Sequence, residues 1–158
     1  MKQYLCKEKE KEDFLTIEIN GSIFAISLSM VKDIIFLHNL TKVPLAPAEV
    51  LGLINLNGQI MPVLDITSKL NMQKVNSYNQ KMSVVIESQQ EIYSLLVDSV
   101  GDIISIPKGH IMNDPANFSI KLQEVVTGVY AFEEKIITIL NIEKLFKKII
   151  AANDVKNF

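Results

Sequence analysis

Short apolar runs separated by turn residues dominate the chain, and few of them carry the spacing of a helix. Residues 14–19, FLTIEI, read as a strand, Asn20-Gly21 as its tight turn and residues 23–27 as the returning strand. Residues 31–37 are a third apolar run, with Lys32 and Asp33 turned away from Val31 and Ile34 in the manner of a twisted strand at a barrel rim. Pro44 and Pro47 exclude an ordinary interior strand there and impose an extended loop. In residues 50–66, VLGLINLNGQIMPVLDI, apolar segments flank a central Asn57-Gly58. Both residues tolerate the positive φ of a tight turn, so the pattern predicts a hairpin. Asp65 or Thr67 is then placed to cap a short helix ending near Met72.

The pattern recurs. Residues 126–142, VTGVYAFEEKIITILNI, repeat the hairpin segment, with Gly52 on Gly128, Leu56 on Phe132, Ile60 on Ile136, Val63 on Ile139 and Asp65 on Asn141, all at one constant offset. The preceding strands repeat too, at a slightly shorter offset: residues 23–26 answer to 92–95 and residues 31–35 to 100–104. The chain therefore reads as two copies of one unit, about 14–70 and 82–148. Residues 75–80, VNSYNQ, are a polar link between them. Residues 83–87, 92–97 and 98–106 are the second copy's strands, and residues 110–118 a loop with a partly apolar face. Asn141 caps a helix over 142–150, whose Ile142, Leu145, Phe146, Ile149 and Ile150 repeat at helical spacing and should dock on the β core. The fold class is all-β with short helices, as two small five-stranded barrels packed together.

Composition narrows the partners. With 158 residues and 48% apolar, the chain can bury a substantial core. A net charge of −2 and a pI of about 5.7 argue against a polyanion partner. Every basic residue is lysine, so no bidentate guanidinium clamp is available. Cys6 is the lone cysteine, which excludes a disulfide framework and makes a cytosolic location the default. No apolar run reaches the roughly 18–20 residues of a membrane span, and the first residues lack a signal peptide's apolar core. Residues 1–13 read as a disordered charged leader and residues 151–158 as a tail.

Candidate chemistry is sparse. His38 and His110 are the only imidazoles, each beside a turn residue and without a metal-ligand pattern, which suits surface histidines. Asp65 and Asp98 could be imagined as a hydrolase's acid and base, but a lone Asp after an apolar strand more commonly caps backbone amides. No phosphate-cradling glycine loop is present, and no metal or cofactor is called for. An alternative is a small barrel that binds single-stranded nucleic acid, against which the acidic pI and 7% aromatic content count. Turns and exposed apolar positions are what stand out, the profile of a protein held by others.

The run VPLAPAEVLGLINLNGQIMPVLDI, followed by LLVDSVGDIISIP and VVTGVYAFEEKIITILNIEKLF, resembles the CheW domain of bacterial chemotaxis over residues 14–150. The resemblance rests on the proline-bearing loop, Gly52, Asn55-Leu56-x-Gly58, Pro62 and Asp65, joined to Val97-Asp98-x-Val100. It implies two intertwined, pseudo-symmetric SH3-like barrels and no catalysis. The implied role is an adaptor in membrane-associated signalling arrays, coupling the cytoplasmic tips of methyl-accepting chemoreceptors to the regulatory domain of a CheA-type histidine kinase. Kinase contact would fall on Val31, Asp33 and Ile34, with a second surface around Met112 and Phe118. Receptor contact would fall on Gly52, Asn57, Gly58, Met82 and Ser83. The family usually carries arginine between Leu56 and Gly58, where this chain has Asn57, so receptor affinity or identity is expected to differ, as in a divergent paralogue.

Overall fold

The computed structural model describes residues 10–73, 81–113 and 118–153. Ten strands make two five-stranded sheets. They are β1 (Lys11–Ile19), β2 (Ser22–Ser27), β3 (Val31–Phe36), β4 (Val50–Leu56), β5 (Gln59–Leu64), β6 (Met82–Ser88), β7 (Glu91–Val97), β8 (Ser99–Pro107), β9 (Val126–Phe132) and β10 (Lys135–Leu140). A 3-10 turn (Leu28–Met30) precedes β3, a helical turn α1 (Ile120–Gln123) precedes β9, and helix α2 (Ile142–Asn153) follows β10. Because β1 begins at Lys11 and pairs Lys11 with Pro107, the segment expected to be a leader is ordered strand from that point. The expected link over 75–80 lies outside the described residues.

The sheets do not follow the repeats. One has the order β8-β1-β2-β10-β9 and the other β3-β6-β7-β5-β4. Exchanging the two copies converts one order into the other, so the internal repeat is a structural one. Each copy nevertheless gives its first two strands to one sheet and its last three to the other. The crossings are short: the 3-10 turn carries the chain from β2 to β3, and Asp98 alone separates β7 from β8.

Consecutive buried residues such as Val84-Val85-Ile86 and Leu95-Leu96-Val97 follow from burial on both faces of a strand. One face of each sheet meets the other in a shared core that includes Leu15, Ile17, Phe24, Leu64, Ile86 and Leu95. The opposite face lines that sheet's own concave side, with Phe14, Ile104 and Ile139 in one and Ile54, Val63 and Leu96 in the other. The edges of each sheet are joined by a single bridge, Met112 to Val129 and Thr41 to Leu53. The expected barrels thus take the form of curled sheets tied at one rung.

Asn141 Oδ1 accepts the Lys144 amide at 3.1 Å, and Ile142, Leu145, Phe146 and Ile149 of α2 are buried in the shared core. The Phe146 ring lies 4.3 Å from that of Tyr93 on β7, so a helix continuing from one sheet packs on the other. The short helix expected after Asp65 is a single turn instead. Met72 N–H bonds the Thr67 carbonyl at 2.8 Å and Asn71 has φ +59°, a left-handed stop that ends the winding.

Candidate docking surfaces

Large apolar side chains remain exposed where the two sheets cease to overlap. Ile34 and Phe36 of β3 lie opposite Val84 and Met82, which face the shared core, so they prolong that face beyond the sheet overlap. Ile34 is 39% exposed and Phe36 59%. Ile103 holds the same place in β8, opposite Leu15. Ile60 and Ile136 do so beside the two hairpin turns, on the faces of Leu64 and Leu140. The two flanks are unequal. The position answering to Phe36 is Ser105, whose hydroxyl donates to Asp13, so the β3 flank alone carries an aromatic ring.

Polar groups near these flanks are engaged in holding the fold. Asp98, at the crossing, accepts the Asn20 amide at 2.7 Å and pairs with the Lys81 ammonium. Its backbone amide bonds the Glu18 carbonyl at 2.9 Å, and Asn20 Nδ2 donates to the Gln73 carbonyl at 2.8 Å. Burial pushes the Asp98 carboxyl up, but the Lys81 ammonium and the Asn20 amide outweigh it and hold it below the ordinary carboxylate value. Asp65 is buried, and its Oδ1 accepts both the Thr67 amide at 3.0 Å and the Thr67 hydroxyl at 2.6 Å. Both aspartates therefore cap amides, as the sequence led one to expect. His38 and His110 are exposed. Among the described residues no group of three His, Cys, Asp or Glu is placed to hold a metal ion, and no helix is long and apolar enough to cross a membrane.

A family model described as the CheW-like domain matches residues 13–149. The chain belongs to the CheW-like domain family. It is 26% identical to the probable chemotaxis protein CheW of Rhizobium etli, covering 86% of this chain and 88% of the relative. It is 28% identical to the chemotaxis protein CheW of Klebsiella aerogenes, covering 89% and 85%. The crystal structure of the scaffolding protein TtCheW from Thermoanaerobacter tengcongensis superposes with a TM-score of 0.78, at 23% identity, over 87% of this chain and 94% of that one. This CheW-like domain is thus a non-enzymatic chemotaxis scaffold, and the single-stranded nucleic-acid reading is not favoured.

The residues singled out by the resemblance are scattered between surface and interior of the CheW-like domain. Asp33 and Ile34 are exposed on β3 and Val31 is half-buried. Asp33 Oδ1 accepts the Ile34 amide at 2.8 Å, which fixes its carboxylate against the strand. Met112 is 55% exposed while its backbone makes the bridge to Val129, and Phe118 is half-buried against the shared core. Residues 114–117 between them lie outside the described residues. Asn57 and Gly58 form an exposed turn with φ of +53° and +85°, in which the Gly58 amide donates to Asn55 Oδ1 at 2.9 Å. Met82 is half-buried beside Phe36.

Gly52 and Ser83 present nothing to the surface. A Cβ on Gly52 would meet the Thr41 carbonyl oxygen at 2.4 Å, so the glycine is required by the bridge that closes the sheet. Ser83 is buried, sharing a hydrogen bond with Ser94 and donating to the Leu95 carbonyl at 3.1 Å. Sequence reasoning passed over Phe36, Ile60, Ile103 and Ile136. The repeat could have found the three isoleucines, because Ile34 with Ile103 and Ile60 with Ile136 are matched apolar pairs beside turns or edges, but not Phe36, which answers to Ser105.

Proposed function

We propose that this CheW-like domain joins the cytoplasmic tip of a methyl-accepting chemoreceptor to the regulatory domain of a CheA-type histidine kinase, on the cytoplasmic side of a receptor array. The observation that carries the reading is the β3 flank, where Ile34 and Phe36 extend a buried apolar face into solvent and the exposed Asp33 lies on the other face of the same edge strand. An exposed apolar patch of this kind is the mark of a protein-docking surface. In this reading Val31, Asp33 and Ile34 contact the kinase, with Met112 and Phe118 as a second kinase surface. Asn57, Gly58 and Met82 contact the receptor, and Gly52 and Ser83 support that surface from within. With Asn57 at the turn, receptor contact lacks a long cation and the charge-assisted hydrogen bond one would make.

Titrating the full chain separately with a kinase regulatory domain and with a receptor-tip helical hairpin tests the reading. Both should bind, shifting the amides of two distinct patches, and Asp33→Lys should weaken the kinase contact while leaving receptor binding and the fold intact. No binding of either partner at about 50 µM, equivalent to an affinity weaker than roughly −6 kcal/mol, overturns it.

A further inference from the structure

Leu45 is the anomaly of the surface. Of the described non-glycine residues with positive φ, the others are Asn, Gln or Glu, whereas Leu45 is apolar, with φ +62°. It is also 96% exposed, more than any other large apolar side chain among the described residues. The strain has a local origin. Val43, Pro44, Leu45 and Ala46 form a turn in which the Ala46 amide bonds the Val43 carbonyl at 3.3 Å. Pro44 suits the first central position, and a positive φ at the second ordinarily selects glycine or asparagine. Leucine there brings both backbone strain and a fully wetted isobutyl group, and no contact within the chain offsets either.

The turn is stiff. Pro44 has its φ fixed by its ring, Pro47 is buried, and the Val50 amide bonds the Pro47 carbonyl at 2.9 Å. Thr41 is bridged to Leu53, so both ends of the loop are tied to β4. The register fixes the end of the sheet from which the loop carrying Leu45 enters β4, the edge strand opposite β3, and the Thr41–Leu53 bridge brings those two edges together. Phe36 lies opposite Met82, Met82 opposite Val97, Leu95 beside Leu64 and Leu64 opposite Val50, which puts the start of β4 and the exposed end of β3 at the same end of the sheet. A rigid turn presenting one apolar side chain at low entropic cost has the character of an interface anchor.

We propose that Leu45 is an anchor residue for the partner that covers the β3 flank, filling an apolar pocket on the kinase regulatory domain; this rests on the adaptor reading above. The test uses Leu45→Asn and Leu45→Gly, which relieve the strain and remove the knob together. Each variant of the full chain is titrated with the regulatory domain and with the receptor-tip hairpin, and its urea midpoint is measured. The expected result is a raised midpoint, affinity for the regulatory domain lowered about tenfold or more, and receptor affinity unchanged. A raised midpoint with unchanged kinase affinity overturns the anchor and leaves the adaptor reading standing. Loss of receptor affinity in place of kinase affinity, or a lowered midpoint, also overturns it. Absence of binding by the parent chain removes the adaptor reading and the anchor with it.

Discussion

Gly52 and Gly128 stand at matching points of the two sheets, and each is pressed against a backbone carbonyl. A Cβ would lie 2.4 Å from the Thr41 oxygen at the first and 2.6 Å from the Met112 oxygen at the second. Each glycine adjoins the bridge that ties its sheet's edges together and a register shift in its own strand. Alanine at either position must displace main chain, so Gly52→Ala and Gly128→Ala should each destabilise by about 1–3 kcal/mol. Urea unfolding measures this, and hydrogen exchange should show the loss concentrated at Thr41 and Leu53 in one variant and at Met112 and Val129 in the other. An unchanged midpoint would mean that the bridge yields freely.

The hairpin turns divide by copy. Asn20-Gly21 and Asn57-Gly58 serve the first, while Gln89-Gln90 and Glu133-Glu134 serve the second, and all eight residues have positive φ. Asn and Gly occupy that region at little cost, whereas Gln and Glu are strained in it. Replacing Gln89-Gln90 or Glu133-Glu134 by Asn-Gly should therefore stabilise the chain, by about 1 kcal/mol per turn. A thermal midpoint that fails to rise for both would show that neighbouring contacts relieve those turns.

Asp98 should make stability depend on acid pH. Its folded carboxyl titrates below the ordinary carboxylate value, so its contribution is complete above about pH 4 and is lost as pH falls through the lower folded value. Asp98→Asn should be less stable than the parent at neutral pH, with the difference closing as the medium is acidified below that point. Lys81→Met should behave alike, and the double variant should fall short of additivity because the two side chains are partners. Parallel curves down to the acid limit would mean that the pair contributes nothing.

Helix α2 ties one sheet to the other through Phe146 and Tyr93. Phe146→Ala empties a buried aromatic site and should cost about 3–5 kcal/mol, whereas Lys147→Ala, on the exposed side of the same helix, should change stability by less than about 0.5 kcal/mol. Equal effects from the two would show that the helix does not dock through its apolar stripe.

Local signals were legible in the chain itself. The strands, the Asn-Gly turns, the Asn141 cap and the stripe of α2 each depend on residues near one another in sequence, and the repeat emerges from comparing copies. Strand partners beyond the hairpins did not show, because apolar alternation states that a segment has two faces without saying which distant segment covers them. Gly52 illustrates the same limit. As a sequence feature it reads as room for an approaching partner, and only the fold reveals that the approaching atom is the Thr41 oxygen of the same chain. Ser83 was placed at the receptor surface by the resemblance alone, yet Ser94 and the Leu95 carbonyl satisfy it inside. Leu45 escaped notice because neither φ nor exposure is written in its identity.

The exchange of strands between copies has a consequence for any attempt to divide the molecule. A break between β5 and β6 yields one fragment holding β1 to β5 and another holding β6 to β10, and neither owns a complete sheet. Each fragment alone would expose strand edges and half of the common interior, while the two mixed together could rebuild both layers by lending each other what is missing. Partners that grip one layer are accordingly gripping residues from both copies of the repeat at once.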